Sequence, residues 1–218
     1  MKNAPARLVS EFLGVFFLCL FGIGAITNGE ALTGIALAHG IAIFIAICAF
    51  AHISGAHFNP AVTTALALTK RIAPVDALAY IVAQLLGGLT AAALWNYANP
   101  MWKGVPSLGM GVNSGKGILV EAVATFILMI VIMGVAVDAK GAFSIVAGLP
   151  IGLAITGDIF FAGPATGAAM NPARWFGPAL IDGSLGNNAI VWIVGPILGA
   201  VVAAFLYDFV MADKEEVA

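Results

Sequence analysis

One short pattern occurs twice in this chain and constrains its fold more than any other feature: His57-Phe58-Asn59-Pro60-Ala61 and Ala169-Met170-Asn171-Pro172-Ala173. Asn is a strong N-cap, and Pro suits the first helical position because its missing N–H needs no partner there. Each Asn-Pro-Ala is followed by an apolar run, 59–69 in the first copy and 171–180 in the second. At about 1.5 Å per residue, such a run covers about 16 Å, half of a ~30 Å hydrocarbon core. Each is a half-span.

The rest of the chain is too apolar for a soluble fold. Of its 218 residues, 61% are apolar and 9% charged, with a mean hydropathy of +1.05. Soluble domains carry about 25% charged residues. Six stretches are long enough to cross a bilayer, near 8–27, 34–53, 75–97, 117–137, 144–162 and 188–210. The first has no small-residue cleavage site behind it and reads as a retained span. The net charge of −2 offers no basic surface for nucleic acid. Cys19 and Cys48 fall inside spans and read as small packing residues, with a disulfide as the alternative.

The spacing of the two motifs extends along the chain. Asn171 minus Asn59 is 112, and the same offset relates Gly40 to Gly152, Pro60 to Pro172 and Ala61 to Ala173. Residues 80–94 and 192–206 share seven of 15 positions. Glu11 pairs with Glu121 at an offset of 110. Three spans per copy is an odd number, so the second copy must insert upside down. The expected fold is therefore an all-α membrane protein. Six transmembrane helices and two re-entrant half-helices form an inverted repeat, about 1–100 and 115–212, within a single membrane domain of residues 1–218. Interrupted spans at matching places of such repeats mark a substrate path. Lys2, Arg7, Lys70, Arg71, Lys140 and Lys214 fall on the side of the N-terminus, against Lys103 and Lys116 opposite. That bias puts both termini in the cytoplasm.

These residues carry a resemblance. The chain resembles the aquaporin, or major intrinsic protein, family over essentially its whole length. Most specific are residues 52–62 and 170–178, which hold the two Asn-Pro-Ala motifs, with Arg174 directly after the second. The resemblance implies a passive channel for water and small uncharged solutes that excludes ions and protons. It also implies a homotetramer with one pore per subunit, in the lipid bilayer of the cell membrane. No enzyme activity or cofactor is implied. Three His without clustered Cys or carboxylates give no metal-site spacing.

By the family's spacing, the narrow filter gathers His39, Ile159, Ala168 and Arg174. The set departs from the Phe and His of strict water channels. It departs equally from the Trp, Gly and Phe of glycerol facilitators, and Trp175 stands where the latter place an Asp. It most resembles plant tonoplast-type members, some of which pass ammonia. His39 also reads as a hydrogen-bonded core histidine. His52 and His57 read as loop scaffolding or lumen-edge donors. Asp158, beside Ile159, reads either as a shaper of vestibule charge or as a snorkelling end residue.

The half-helix N-termini each present about half a positive charge, which repels cations where the two meet. Asn59 and Asn171 are expected to cap their helices with the side-chain oxygen and aim their amide N–H groups into the lumen. A water accepting from both must donate outward, which breaks a proton-hopping chain. Before each Asn, non-helical backbone at membrane depth is tolerated only along a water-filled cavity. The carbonyls of Gly55, Ala56 and His57, and of Gly167 and Ala169, are therefore expected to line it. Glu11 and Glu121 need partners at that depth. They are either proton-relay groups or acceptors for the backbone N–H groups of the re-entrant loops, and one per repeat favours the second. A glycerol or ammonia facilitator is the nearest alternative function. An ion-coupled secondary transporter is the more distant one.

Overall fold

A computed structural model describes residues 2–99, 101–138 and 146–212. Eight α-helices follow in order: α1 Ala4–Thr27, α2 Leu32–Ser54, α3 Pro60–Leu68, α4 Pro74–Ala98, α5 Ser114–Ile132, α6 Gly148–Thr166, α7 Pro172–Asp182 and α8 Ala189–Leu206. Single π-helical turns, Met133–Val137 and Tyr207–Met211, extend α5 and α8. Among the described residues, six helices are long and apolar enough to cross a membrane. The two half-helices, α3 and α7, have 9 and 11 residues.

The boundaries follow the hydropathy, with one displacement. The fifth span was expected at 144–162, and its helix runs instead from Gly148 to Thr166. Gly163-Pro164 reads as a stop in sequence, yet Pro164 lies inside the helix, which closes at Gly167 in the left-handed region (φ +78). The start of the expected span, 144–145, falls outside the described residues, as do Lys140 and Lys214 of the charge count.

The two halves interlock. α2 packs on α6 across the middle of the bundle. A Cβ on Gly40 would collide with the carbonyl oxygen of Gly152, and one on Gly152 with that of Gly40. Small residues at both points of the crossing let the backbones touch. Each half-helix leans on the other half's last span, α3 on α8 and α7 on α4. The lipid-facing sides keep large apolar side chains such as Leu78, Leu119 and Leu153 exposed.

Candidate functional site

Both re-entrant loops follow the same irregular path. Positive φ occurs at Gly55, Ala56 and Phe58, and again at Gly167, Ala168 and Met170, each 112 residues on. Left-handed backbone costs an ordinary L-residue roughly 1–2 kcal/mol. Phe58 offsets this by burying its ring, 1% exposed, in the slot that Gly14 leaves open.

Buried carboxylates hold both paths in place. Glu11 Oε1 accepts from Ser54 Oγ (2.7 Å) and His57 N (3.0 Å), and its Oε2 from Phe58 N and Gln84 Nε2 (2.7 Å each). Glu121 Oε1 accepts from Thr166 Oγ1 (2.6 Å) and Ala169 N (2.9 Å), and its Oε2 from Met170 N (2.7 Å). A second layer repeats as well. Tyr80 donates its hydroxyl to Ser54 O (2.7 Å), and Trp192 donates Nε1–H to Thr166 O (3.0 Å). These partners, Ser54, Thr166, Tyr80, Trp192 and Gln84, carry no motif of their own. The 112-residue offset was the signal that could have paired Ser54 with Thr166 and Tyr80 with Trp192, whereas Gln84 falls opposite Pro196.

The two Asn meet at the centre. Asn59 Oδ1 caps its helix by accepting from Ala61 N (2.8 Å), and Asn171 Oδ1 does so from Ala173 N (3.0 Å). The sequence predicts that both amides aim their N–H groups into the lumen, but one N–H of each is taken up within the protein. Asn59 Nδ2 donates to Met170 O and Asn171 Nδ2 donates to Phe58 O, both at 2.8 Å. One N–H of each amide thus ties the two half-helices head to head, leaving one. Pro60, Ala61, Pro172 and Ala173 are buried in the first turns behind them.

A cavity of about 580 Å³ runs along this loop seam, with Gly55, Ala56, His57, Asn59, Asn171 and Ala169 on its wall. Ile43, Ile47, Ile151 and Ile155 make the opposite side apolar. His39 and Ala168 line it too, and Arg71 and Val137 reach it at the N-terminal face of the bundle. Gly167 caps α6 next to Ala168 without reaching the wall. Ile159 is buried, off the wall, in the same apolar cluster as Ala168.

His39 and Arg174 are bonded to each other rather than set across an opening. Arg174 Nη2 lies 3.3 Å from His39 Nε2, and His39 Nδ1 lies 2.8 Å from Ile35 O. A guanidinium only donates, so Nε2 is the acceptor and Nδ1 carries the proton to Ile35 O. Arg174 Nη1 donates to Gly104 O (2.8 Å), and its Nε has no hydrogen-bond partner among the described residues. The Gly104 loop was not legible as part of the site. It is pinned by Thr27, whose hydroxyl donates to Lys103 O (2.8 Å) and accepts from Lys103 N (3.0 Å).

Other residues singled out in the sequence lie elsewhere than expected or have new partners. Asp158 is no snorkelling end residue. It is 3% exposed, two turns or about 12 Å inside the Thr166 end of α6, and off the cavity wall, so it shapes no vestibule. His57 sets Nδ1 3.2 Å from Thr63 Oγ1 and its ring edge-on to Tyr80, while His52 lines the cavity. Cys48 is exposed to the cavity, not a packing residue, while Cys19 is buried; both thiols are free. A bulky, membrane-impermeant thiol reagent applied from the N-terminal face should therefore cut flux severalfold. Cys48→Ser should abolish that block and Cys19→Ser should leave it intact, as read by stopped-flow light scattering.

This geometry fits what relatives reveal. The sequence model for "Major intrinsic protein" matches residues 2–207. The chain belongs to the major intrinsic protein family. It is 36% identical to Aquaporin AqpM of Methanothermobacter thermautotrophicus, covering 98% of this chain and 100% of that one. It is 38% identical to Aquaporin NIP1-1 of Zea mays, over 94% of this chain and 74% of the relative. Among solved structures, the aquaglyceroporin from Plasmodium falciparum superposes with a TM-score of 0.84 at 28% identity, over 95% of this chain and 97% of that one. The protein is an integral, multi-pass membrane channel of the aquaporin class for water or small solutes, and not an enzyme.

Proposed function

We propose that the channel passes water and small uncharged solutes and excludes ions and protons. The reciprocal Asn59–Met170 and Asn171–Phe58 bonds carry this reading, because they bring two half-helix N-termini to one point of the seam. A cation there meets two positive dipole ends, whereas a water can accept the remaining amide N–H groups. The carbonyls of Gly55, Ala56, His57 and Ala169 serve as acceptors leading to that point. His39, Ile159, Ala168 and Arg174 form the filter, with the Arg174 guanidinium held between Gly104 O and His39. Glu11 and Glu121 act as loop scaffolds. Among the described residues, their hydrogen-bond partners are loop and helix donors, which favours this role over a proton relay.

The chain acts as one domain, 1–218, of two inverted repeats, with both termini in the cytoplasm of the cell membrane and four copies assembling together. Ammonia is the second solute, favoured by small Ala168 on a wall whose Ile43, Ile47, Ile151 and Ile155 side is apolar. Proteoliposomes should shrink fast under a sucrose gradient, admit ammonia appreciably and glycerol slowly. His39→Trp with Ile159→Gly should raise the ratio of glycerol to water permeability. A wild type that already passes glycerol as readily as this double variant would rule out the filter as drawn.

A further inference from the structure

A second cavity, about 560 Å³, opens at the N-terminal face of the bundle beside the first and shares Gly55, His57 and Arg71 with it. Three cationic residues line it: Lys2, Arg7 and Arg71. Their states differ. Arg71 is neutralised, with Nη1 and Nη2 donating to Asp208 Oδ2 and Oδ1 at 2.8 and 2.6 Å. Among the described residues, Arg7 makes its side-chain hydrogen bond to a phenol and not to a carboxylate. Its Nε donates to Tyr80 Oη at 2.6 Å, and its guanidinium carbon stands 5.2 Å from the centre of the Tyr80 ring.

Tyr80 is itself fixed, since its hydroxyl donates to Ser54 O. This arrangement leaves the outer edge of the Arg7 fork, Nη1 and Nη2, preorganised and without a protein acceptor among the described residues. Lys2, exposed on the same wall, likewise has no acidic partner there. α1 begins beside them at Ala4 with no side chain capping its first turn. A rigid fork and an ammonium on one concave wall match an oxyanion such as phosphate better than a neutral group.

We infer that this side cavity binds a phosphate group between Lys2 and Arg7, at the mouth of the pore. The phosphate can be the headgroup of an anionic lipid or a free phosphate in solution, and the chemistry is the same. The site stands apart from the solute reading above, so its test reads binding and not flux.

The full chain in nanodiscs tests it in two arms. In the first, discs of phosphatidylcholine doped with phosphatidylglycerol are compared by native mass spectrometry for lipid retained. In the second, inorganic phosphate is titrated into phosphatidylcholine discs and thermal stability followed. Lys2→Gln is the primary variant, because its side chain is exposed and makes no hydrogen bond or ion pair among the described residues. Arg7→Gln, which also loses the Tyr80 contact, is added where it folds. Losing a charge-assisted pair of bonds should weaken binding about tenfold in the double variant. Phosphatidylglycerol retention that falls in the variants assigns the site to a lipid headgroup. Saturable stabilisation by phosphate that falls in the variants assigns it to the free anion. The inference is overturned if the wild type favours neither probe, or if Lys2→Gln and the double variant hold both as tightly as the wild type.

Discussion

Replacing Glu121 by Ala is expected to lower stability by about 2–6 kcal/mol, because two buried backbone donors, Ala169 N and Met170 N, lose their acceptor at roughly 1–3 kcal/mol each. Thr166 suffers less, since its hydroxyl also reaches Ala162 O at 3.4 Å. Folded proteins have about 5–15 kcal/mol in hand, so the variant should assemble poorly and melt early. Flux should be lost together with the fold, as the Asn171 end of the seam drifts. Glu11→Ala should behave alike, since it orphans His57 N and Phe58 N in the same way. Gln84 Nε2 would still keep Thr63 Oγ1 as a partner at 2.9 Å. Glu121→Gln should fall between, because one amide oxygen still accepts while its NH2 confronts an N–H. Thermal unfolding in detergent, followed by tryptophan fluorescence, ranks the three. A Glu121→Ala protein that melted normally and lost only proton-driven transport would revive the coupled-transporter reading.

Why the carboxylates were legible in sequence, and their partners were not, is a matter of chemistry. A carboxylate at membrane depth is anomalous, and a symmetric pair of them asks for symmetric donors. Ser54, Thr166, Tyr80 and Trp192 are ordinary residues for an apolar span, so nothing in their type announces a bond to a loop. The Asn caps were legible because Asn-Pro opens a helix in only a few ways. Their cross-bonds to Phe58 O and Met170 O were not, since a bulky residue is an unfavourable choice at positive φ and marks nothing by itself. Contacts between distant segments were the least visible. The family's spacing groups His39 with Arg174, 135 positions on, but does not announce a direct bond between them, and no spacing links Arg174 to Gly104, 70 positions away. Periodicity fails at Pro164 and Cys48 for another reason. In a bundle this tight, a kink or a small thiol can face either a neighbour or the lumen, and only the packing decides.

Arg174→Val should keep water flux at or above the wild-type level while admitting protons and small cations. Removing this unit charge lowers the electrostatic barrier that a cation meets at the filter, by up to about 4 kcal/mol for a charge at ~4 Å and an effective dielectric constant of ~20. The change reaches further than the charge. Gly104 O loses its guanidinium donor, and His39 Nε2 loses the N–H that holds it. His39 keeps its bond to Ile35 O, so the ring stays on α2 but can turn its free nitrogen towards the lumen. Arg174→Lys separates the two effects. It retains a positive charge without the planar fork that serves Gly104 O and His39 at once. Lys should therefore keep most of the ion barrier yet alter the ratio of ammonia to water flux, because the acceptors it leaves unpaired become available to solute. Liposomes loaded with a pH dye read the proton leak, and stopped-flow shrinkage of the same preparation reads water. Equal ion tightness in wild type, Val and Lys variants would remove Arg174 from the filter and leave exclusion to the half-helix ends at Asn59 and Asn171 alone.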